Sequence, residues 1–516
     1  MKKVLKSNIK TILKKTFSSE IDYSYNTENF LNKIKQYENG ISDVLNQYEL
    51  LDNPISGYAT KEKTKYYSQR NMENVHKSNF KETYEGLTIS SLGLGSYVGK
   101  PDDLTDFYLY NSVKNSVLSG GINHIDTAIN YRYMKSERTI GKALQTLINK
   151  YKFSREELII SSKIGFIPEN AEEGHRCHYF VEKLVESKKI DINDIIYDEN
   201  KRPVHCIHPE FLKSQIEISL KNLNLETIDI LYLQNVFETQ LKPKAKILYD
   251  LSKSFECLQQ MIEEKKIKNY GLATWNSLRV PISNIQQCPL QQIVELVEKV
   301  CGKNNGFKFI QTPINLMNPE AFIEKHQPFN IYFENGKYFI NDKIKNKNIN
   351  KLNFTEKEYK EKTLSASINN PLEGSETKDL FHEAKEKLNK LEPSKEEQEL
   401  LDKMKLPISK TLYSTVTSIC NAYKLNLISS SPLLQGLLVD LTLENKIPLI
   451  HNASRHLQII RSVPAECLKS TLVGMNNNVH LKNNLEVLKI PLFDAKEFSL
   501  MLSPKKRQPF IEKEIL

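Results

Sequence analysis

Residues 122–141 read INHIDTAINYRYMKSERTIG: an apolar run that closes on Asp126, a polar turn that carries Tyr131, and the start of a helical stretch. The run at 122–127 is one of eight. The others lie at 92–96, 158–163, 228–233, 268–274, 307–314, 425–430 and 471–474. Segments of helical period separate them. In FLKSQIEISLKNL, for instance, Leu212, Ile216, Leu220 and Leu223 fall at i, i+4, i+8 and i+11. Strand and helix alternating eight times predict a parallel α/β sheet, and eight units predict closure into a (β/α)8 TIM barrel. The other arrangement is an open doubly wound sheet. It expects a G-x-G-x-x-G turn after the first strand, whereas SLGLGSYVG places glycines at 93, 95 and 99.

Composition agrees with one large barrel carrying additions. The chain has 516 residues, 39% hydrophobic and 26% charged, enough for a sizeable core and too apolar for global disorder. No stretch approaches 18 uncharged apolar residues. The best candidate, 425–443, contains Ser429, Ser430, Ser431 and Asp440, which excludes a membrane span. Seven scattered cysteines without a CxxC pair read as reduced thiols. Of the net charge of +9, six units come from lysines in residues 1–19, which hold no acid. Basic residues are 62 Lys against 10 Arg, a poor complement for base and phosphate forks, so nucleic acid is not an expected partner.

Residues 1–19 also set Leu5, Ile9, Ile12 and Leu13 on one helical face and lysines on the other. A basic, amphipathic, acid-free and hydroxylated segment predicts a mitochondrial transit peptide and a matrix location. Residues 20–82 form a polar extension, 83–490 the barrel, and 491–516 a tail. Within the barrel, 330–405 is rich in Lys, Asn and Glu and reads as a solvated insertion between the sixth and seventh strands. A second long connection spans about 164–210. The motifs GHRCHYF (174–180) and HCIHPEF (205–211) flank it with six potential ligands, but their spacing fits no common zinc pattern, so a structural or lid role is expected and no metal.

Chemistry in such a barrel sits at the C-terminal ends of the strands. The second strand ends in Asp126 with Tyr131 on the loop beyond it; the third ends in Lys163; the fourth, IDILYLQN, ends in Gln234. A phenol is a weak acid at neutral pH, and a neighbouring ammonium lowers its pKa. A carboxylate beside the lysine keeps the amine charged. The trio predicts a tyrosine that exchanges a proton with a carbonyl-derived oxygen.

These residues resemble the aldo-keto reductase family, whose pattern DTAxxYxxxxSExxIG stands here as DTAINYRYMKSERTIG. The resemblance continues through SLGLGSY, SSKIGF, NYGLATWN, QTPINL, SPLLQG and STLVGMNNNVHLKNNL. It implies a barrel that binds NADP(H) or NAD(H) without a separate dinucleotide domain and passes hydride to an aldehyde or ketone. On that implication Tyr131 is the general acid, Lys163 tunes it and Asp126 supports Lys163. Asn276 and Gln311 match the nicotinamide end, Ser431 and Leu433 the pyrophosphate loop, and Gly474 and Asn484 the adenosine end.

Two departures matter. The family's fourth catalytic residue is a histidine, and here Gln234 takes its place; an amide donates a hydrogen bond but relays no proton. The run after Gly474 offers no cation before Lys482, although NADP(H) is the slightly preferred cofactor. The departures leave a second expectation open: a weakened or inactive barrel serving as a cofactor-binding subunit of a mitochondrial assembly, with protein partners on the insertion and extensions.

Overall fold

The computed structural model describes residues 53–71, 73, 75–172, 178–240, 242–334, 337–339, 393–404, 408–439, 451–475 and 478–501. Residues 1–19, most of the extension, the centre of the insertion and the end of the tail lie outside the described residues, as do His175, Cys177, Asn476 and Asn477.

Eight parallel strands close into a barrel: β1 (Leu92–Gly95), β2 (His124–Asp126), β3 (Ile159–Ile164), β4 (Ile228–Gln234), β5 (Ile267–Ala273), β6 (Phe307–Pro313), β7 (Asn426–Ser430) and β8 (Leu468–Gly474). Neighbours in sequence are neighbours in the barrel, and β8 closes on β1. A helix follows each strand: α1 (Asp103–Leu118), α2 (Lys135–Asn149), α3 (Pro209–Leu223), α4 (Lys244–Glu263), α5 (Leu290–Cys301), α6 (Val416–Tyr423), α7 (Asn452–Arg461) and α8 (Asn478–Leu485). Helices outside and side chains within bury both faces of the strands, which is why the runs are continuously apolar instead of alternating. The α3 segment shows how locally the helices are specified. His208 caps its start by accepting from the Glu210 N–H, Pro209 sits in its first turn, and Asn224 ends it at φ 52.

Ile159, Ile230, Tyr232, Ala273, Phe309, Ile428 and Leu472 fill the barrel. Each such burial stabilises the fold by about 1.5–3 kcal/mol for the larger side chains. At Gly271 a Cβ would lie 1.8 Å from the Phe309 carbonyl oxygen, so only glycine lets β5 approach β6.

The N-terminal end of the barrel is closed by the extension. A hairpin (Phe80–Glu82 with Thr88–Ser90) and Ala59 drive Ile89, Leu87 and Ala59 into the interior. The helix Lys61–Arg70, capped by Thr60, buries Tyr67, whose hydroxyl donates to the carbonyls of Val117 and Ile122. The connection after β3 forms a second hairpin, Ile195–Tyr197 with Pro203–Cys206. The ends of the Lys/Asn/Glu-rich insertion are not simply solvated. Gln327–Glu334 pairs antiparallel with both Lys337–Phe339 and Ile408–Ser414, a sheet joined across some 75 residues of chain. Among the described residues no helix is long and apolar enough to cross a membrane.

Candidate active site

Asp126 is the last residue of β2, and Lys163 the last but one of β3. Both are almost wholly buried, and the ammonium forms an ion pair with Asp126 Oδ2 while donating to the Thr127 carbonyl at 2.8 Å. Asp126 Oδ1 accepts from Ser161 Oγ (2.7 Å) and from Gln311 Nε2 on β6 (3.0 Å). One layer deeper, His124 bridges Ser161 and Ser470, with 3.1 Å to each hydroxyl. Burial holds His124 down to about 4, so its ring is neutral at physiological pH. The carboxylate is therefore fixed on both oxygens and carries its charge towards Lys163.

Tyr131 is half-buried on the loop after β2. The Lys163 ammonium lies 5.0 Å from the centre of its ring, and the two groups interact directly. Tyr97, on the loop after β1, stands edge-on to it at 5.1 Å. The ammonium was expected to lower the phenol's pKa. In the structure burial outweighs Lys163, and the phenol is raised above its ordinary value. Burial also works against the charge on Lys163, but Asp126 and Tyr131 outweigh it and raise that pKa. Around neutrality the pair is thus a protonated phenol beside a permanent ammonium. The next three residues, Arg132, Tyr133 and Met134, have φ of 52, 56 and 69. A left-handed conformation costs a residue with a Cβ about 1–2 kcal/mol, so this turn is strained.

Gln234 ends β4, and its side-chain oxygen is buried without a hydrogen-bond partner. His205, from the hairpin after β3, lies directly behind it. Its Nε2 donates to the Gln234 carbonyl oxygen (2.8 Å) and its Nδ1 accepts from Gln240 Nε2 (2.7 Å). Both ring nitrogens are engaged and burial holds the ring down to about 4, so His205 supports the end of β4 and does not fill the histidine slot. Glu238, four residues after Gln234, gathers the loop after β5. Its Oε1 accepts from the N–H groups of Trp275 (2.9 Å), Asn276 (3.0 Å) and Ser277 (2.9 Å).

The expected cofactor residues are spread around the same mouth. Asn276 sits just beyond β5 with its side-chain oxygen unpartnered, as is Trp275 Nε1. Gln311 reaches Asp126, a tie from a residue expected at the nicotinamide end. Ser431 and Leu433 follow β7 in a tight loop where Ser431, Leu434 and Gln435 all have positive φ. The Ser431 carbonyl accepts from Asn315 Nδ2 at 3.0 Å. Gly474 ends β8, and Asn484 in α8 donates to its carbonyl at 3.5 Å, so these two are brought together. At Gly474 a Cβ would meet nothing closer than Val98 Cγ2 at 3.6 Å, so internal packing does not demand this glycine. Unpartnered buried amide and indole atoms at one mouth, with a loose glycine opposite, fit a polar ligand with an amide at one end and phosphates at the other. Among the described residues no group of three or more His, Cys, Asp or Glu is placed to hold a metal ion. The supporting residues His124, Ser161 and Glu238 were not foreseen, whereas His205 was singled out within HCIHPEF without its place behind Gln234; for His124, its place one turn of pleat below Asp126 was the available signal.

A family model described as "Aldo/keto reductase family" matches residues 91–391. Among solved structures, an aldo-keto reductase from Bacillus halodurans in its holo form is 12% identical, with 82% of this chain and 95% of that one covered at a TM-score of 0.44. The aldose reductase from Schistosoma japonicum is 14% identical, with 82% and 90% covered at a TM-score of 0.40.

Proposed function

Since the chain belongs to the aldo/keto reductase family, we propose that it is an NAD(P)H-dependent oxidoreductase reducing an aldehyde or ketone, with Tyr131 as proton donor and Gln234 where relatives carry histidine. The observation that carries this reading is the meeting of Asp126, Lys163 and Tyr131 at the C-terminal mouth of the barrel.

When bound, the nicotinamide cofactor supplies the hydride. Asn276, with an unpartnered side-chain oxygen, and Gln311 would face its amide end, and the loop of Ser431 and Leu433 with Gly474 and Asn484 would hold its phosphates and adenosine. Tyr131 gives its hydroxyl proton to the substrate oxygen as negative charge grows there. Lys163 stabilises the phenolate left behind, and Asp126 keeps Lys163 charged and aimed. Gln234 orients the carbonyl by hydrogen bonding, and it holds no proton to pass on.

That last property supports a second reading, a barrel with weakened turnover that serves as a cofactor-binding subunit. We propose the mitochondrial matrix as the location, on the acid-free basic residues 1–19, and NADP(H) as the slightly favoured cofactor. Fluorescence titration with NADPH and NADH, followed by turnover on a panel of carbonyl compounds, decides between the readings. Binding with turnover that vanishes in Tyr131→Phe supports the reductase. Binding without turnover, in wild type and in Gln234→His alike, supports the subunit. Failure to bind either nucleotide overturns both.

A further inference from the structure

The turn that presents Tyr131 is closed by the Lys135 N–H on the Arg132 carbonyl (3.1 Å) and the Ser136 N–H on the Tyr131 carbonyl (3.4 Å), two bonds that leave it to its surroundings for the rest. Arg132, Tyr133 and Met134 occupy the left-handed region in succession, and such a turn persists only where its surroundings fix it. The Ala171 N–H donates to the Tyr133 carbonyl at 3.2 Å, and the side-chain contacts that fix the turn converge on Asp106 in α1, which is 1% exposed. Its Oδ1 accepts from Arg132 Nη2 at 2.5 Å and from Thr139 Oγ1 at 3.0 Å, and its Oδ2 pairs with Lys135 Nζ at 2.8 Å. Arg132, itself buried, also donates to the carbonyls of Lys100 (2.7 Å) and Asp102 (3.1 Å). Ser136 Oγ adds a bond to the Ser96 carbonyl at 3.1 Å. One carboxylate thus clamps both sides of the strained turn to the loop and helix that follow β1. Burial opposes the charge on Asp106, but Arg132 and Lys135 outweigh it and hold the carboxyl below its usual range.

We propose that Asp106 is a positioning residue for Tyr131, a role that rests on Tyr131 being the proton donor. The charged and titratable groups that bear on the phenol are Lys163, Asp126 and Tyr97; the clamp is not among them. Asp106 therefore bears on where the hydroxyl stands and not directly on its charge. A misplacement on the order of 1 Å costs about a hundredfold in rate when the reacting atoms must be aligned.

The test uses the full chain. In Asp106→Asn the kcat for carbonyl reduction falls about a hundredfold, the KM for the nucleotide and the pH profile stay as in wild type, and amide exchange at 131–136 accelerates. Asp229→Asn, which breaks the equally buried Arg155–Asp229 pair at the other end of the barrel, serves as control: it lowers the melting temperature and leaves kcat unchanged. If Asp106→Asn keeps wild-type kcat, or loses activity only as the control does, the proposal is overturned. Should Asp106→Asn not fold, Arg132→Lys retains the charge without the fork; a lower kcat at constant KM supports the clamp, and wild-type kcat overturns it. If wild type reduces no carbonyl at all, the reading of Tyr131 fails separately. Exchange at 131–136 then still decides the clamp: acceleration in Asp106→Asn supports it and no change overturns it.

Discussion

The floor and the mouth of this barrel are built from the same ingredients and use them differently. At the floor, Asp229 accepts from the Ala59 N–H (2.6 Å), from Arg155 Nη2 (2.7 Å) and from the Ile160 N–H (2.7 Å). Arg461, fully buried, spends all three guanidinium nitrogens on Gln458, Asn79, Ser91 and the carbonyls of Val487 and Ile490. Those bonds join the N-terminal extension, the hairpin and the C-terminal helices, so these groups serve the fold, while Arg155 Nε and Asn224 Nδ2 nearby keep no partner. At the mouth, Asp126 and Lys163 are as deeply buried, and the unpartnered atoms of Gln234, Trp275 and Asn276 gather at the same end as three successive left-handed residues. An unpaired buried group costs about 1–3 kcal/mol, a cost that a folding role alone does not explain. The mouth gathers its imperfections around one ion pair, where the floor scatters its own.

The largest effect that would break this contrast is expected at Tyr131. Tyr131→Phe removes one oxygen at the mouth. Turnover should fall by about 10²–10⁴-fold, the range of general acid catalysis, while the melting temperature and nucleotide affinity stay put. Residual turnover near wild type would mean that the proton comes from elsewhere. The mirror experiment is Asp229→Asn at the floor. It leaves Arg155 buried beside a neutral amide, and breaking a buried pair costs about 3–5 kcal/mol of stability. Denaturant unfolding should show that loss, and kcat per folded molecule should not move. A fall in kcat would show that the two ends are coupled and that the division of labour is false.

Much of this division was readable in the sequence. Parallel strands covered on both faces are continuous apolar runs, so each strand was located to within a few residues: 268–274 was expected for β5 and 267–273 is observed. Once the strand ends are known, Asp126, Lys163 and Gln234 follow, because the barrel puts C-terminal ends at one mouth. The cross-links were not readable. Gln311 reaches Asp126 across 185 residues, and His205 reaches Gln234 from inside an insertion that no periodicity governs. Arg, Tyr and Met do not favour left-handed backbone, so propensity argued against the turn at 132–134, and tertiary contacts account for it: the Asp106 clamp, the Ser136–Ser96 bond and the Ala171 N–H on the Tyr133 carbonyl. The direction of the Tyr131 shift was missed for a related reason: the depth of burial is set by neighbours, Tyr97 among them, that the motif does not contain.

Two substitutions sharpen the picture of the mouth with smaller effects. Gln234→His restores a ring that relays a proton, and kcat on responsive carbonyl substrates should rise by about tenfold, within the reach of one acid–base group. An unchanged or lower kcat would mean that the loop at 235–240 has adapted to glutamine. Gly474→Ala tests the loose glycine. Its Cβ has room inside the protein, so stability should change by no more than about 0.5 kcal/mol, while nucleotide affinity should weaken several-fold if phosphate approaches the backbone there. Equal affinity would remove Gly474 from the cofactor site.

The smallest expected effect is a flat line, and it separates the expected tyrosine from the observed one. A phenol lowered by its ammonium would begin to ionise below the ordinary tyrosine value of about 10, and reduction would already decline towards about pH 9. Tyr131 is instead raised, because burial outweighs Lys163. A raised pKa keeps the proton on the phenol to higher pH, so the kcat for reduction should be level from about pH 6 to about pH 9 and fall only beyond the ordinary range. The reverse oxidation needs the phenolate, and its rate should climb through the same interval as the rare ionised form becomes more abundant. His124 and His205 do not interfere, since burial keeps both neutral down to about 4. Opposite slopes in the two directions above about pH 9, with no break near neutrality, would place the titrating proton on Tyr131. A break near neutrality would place it on another group, and the mouth would then owe its chemistry to something other than a buried phenol beside a paired lysine.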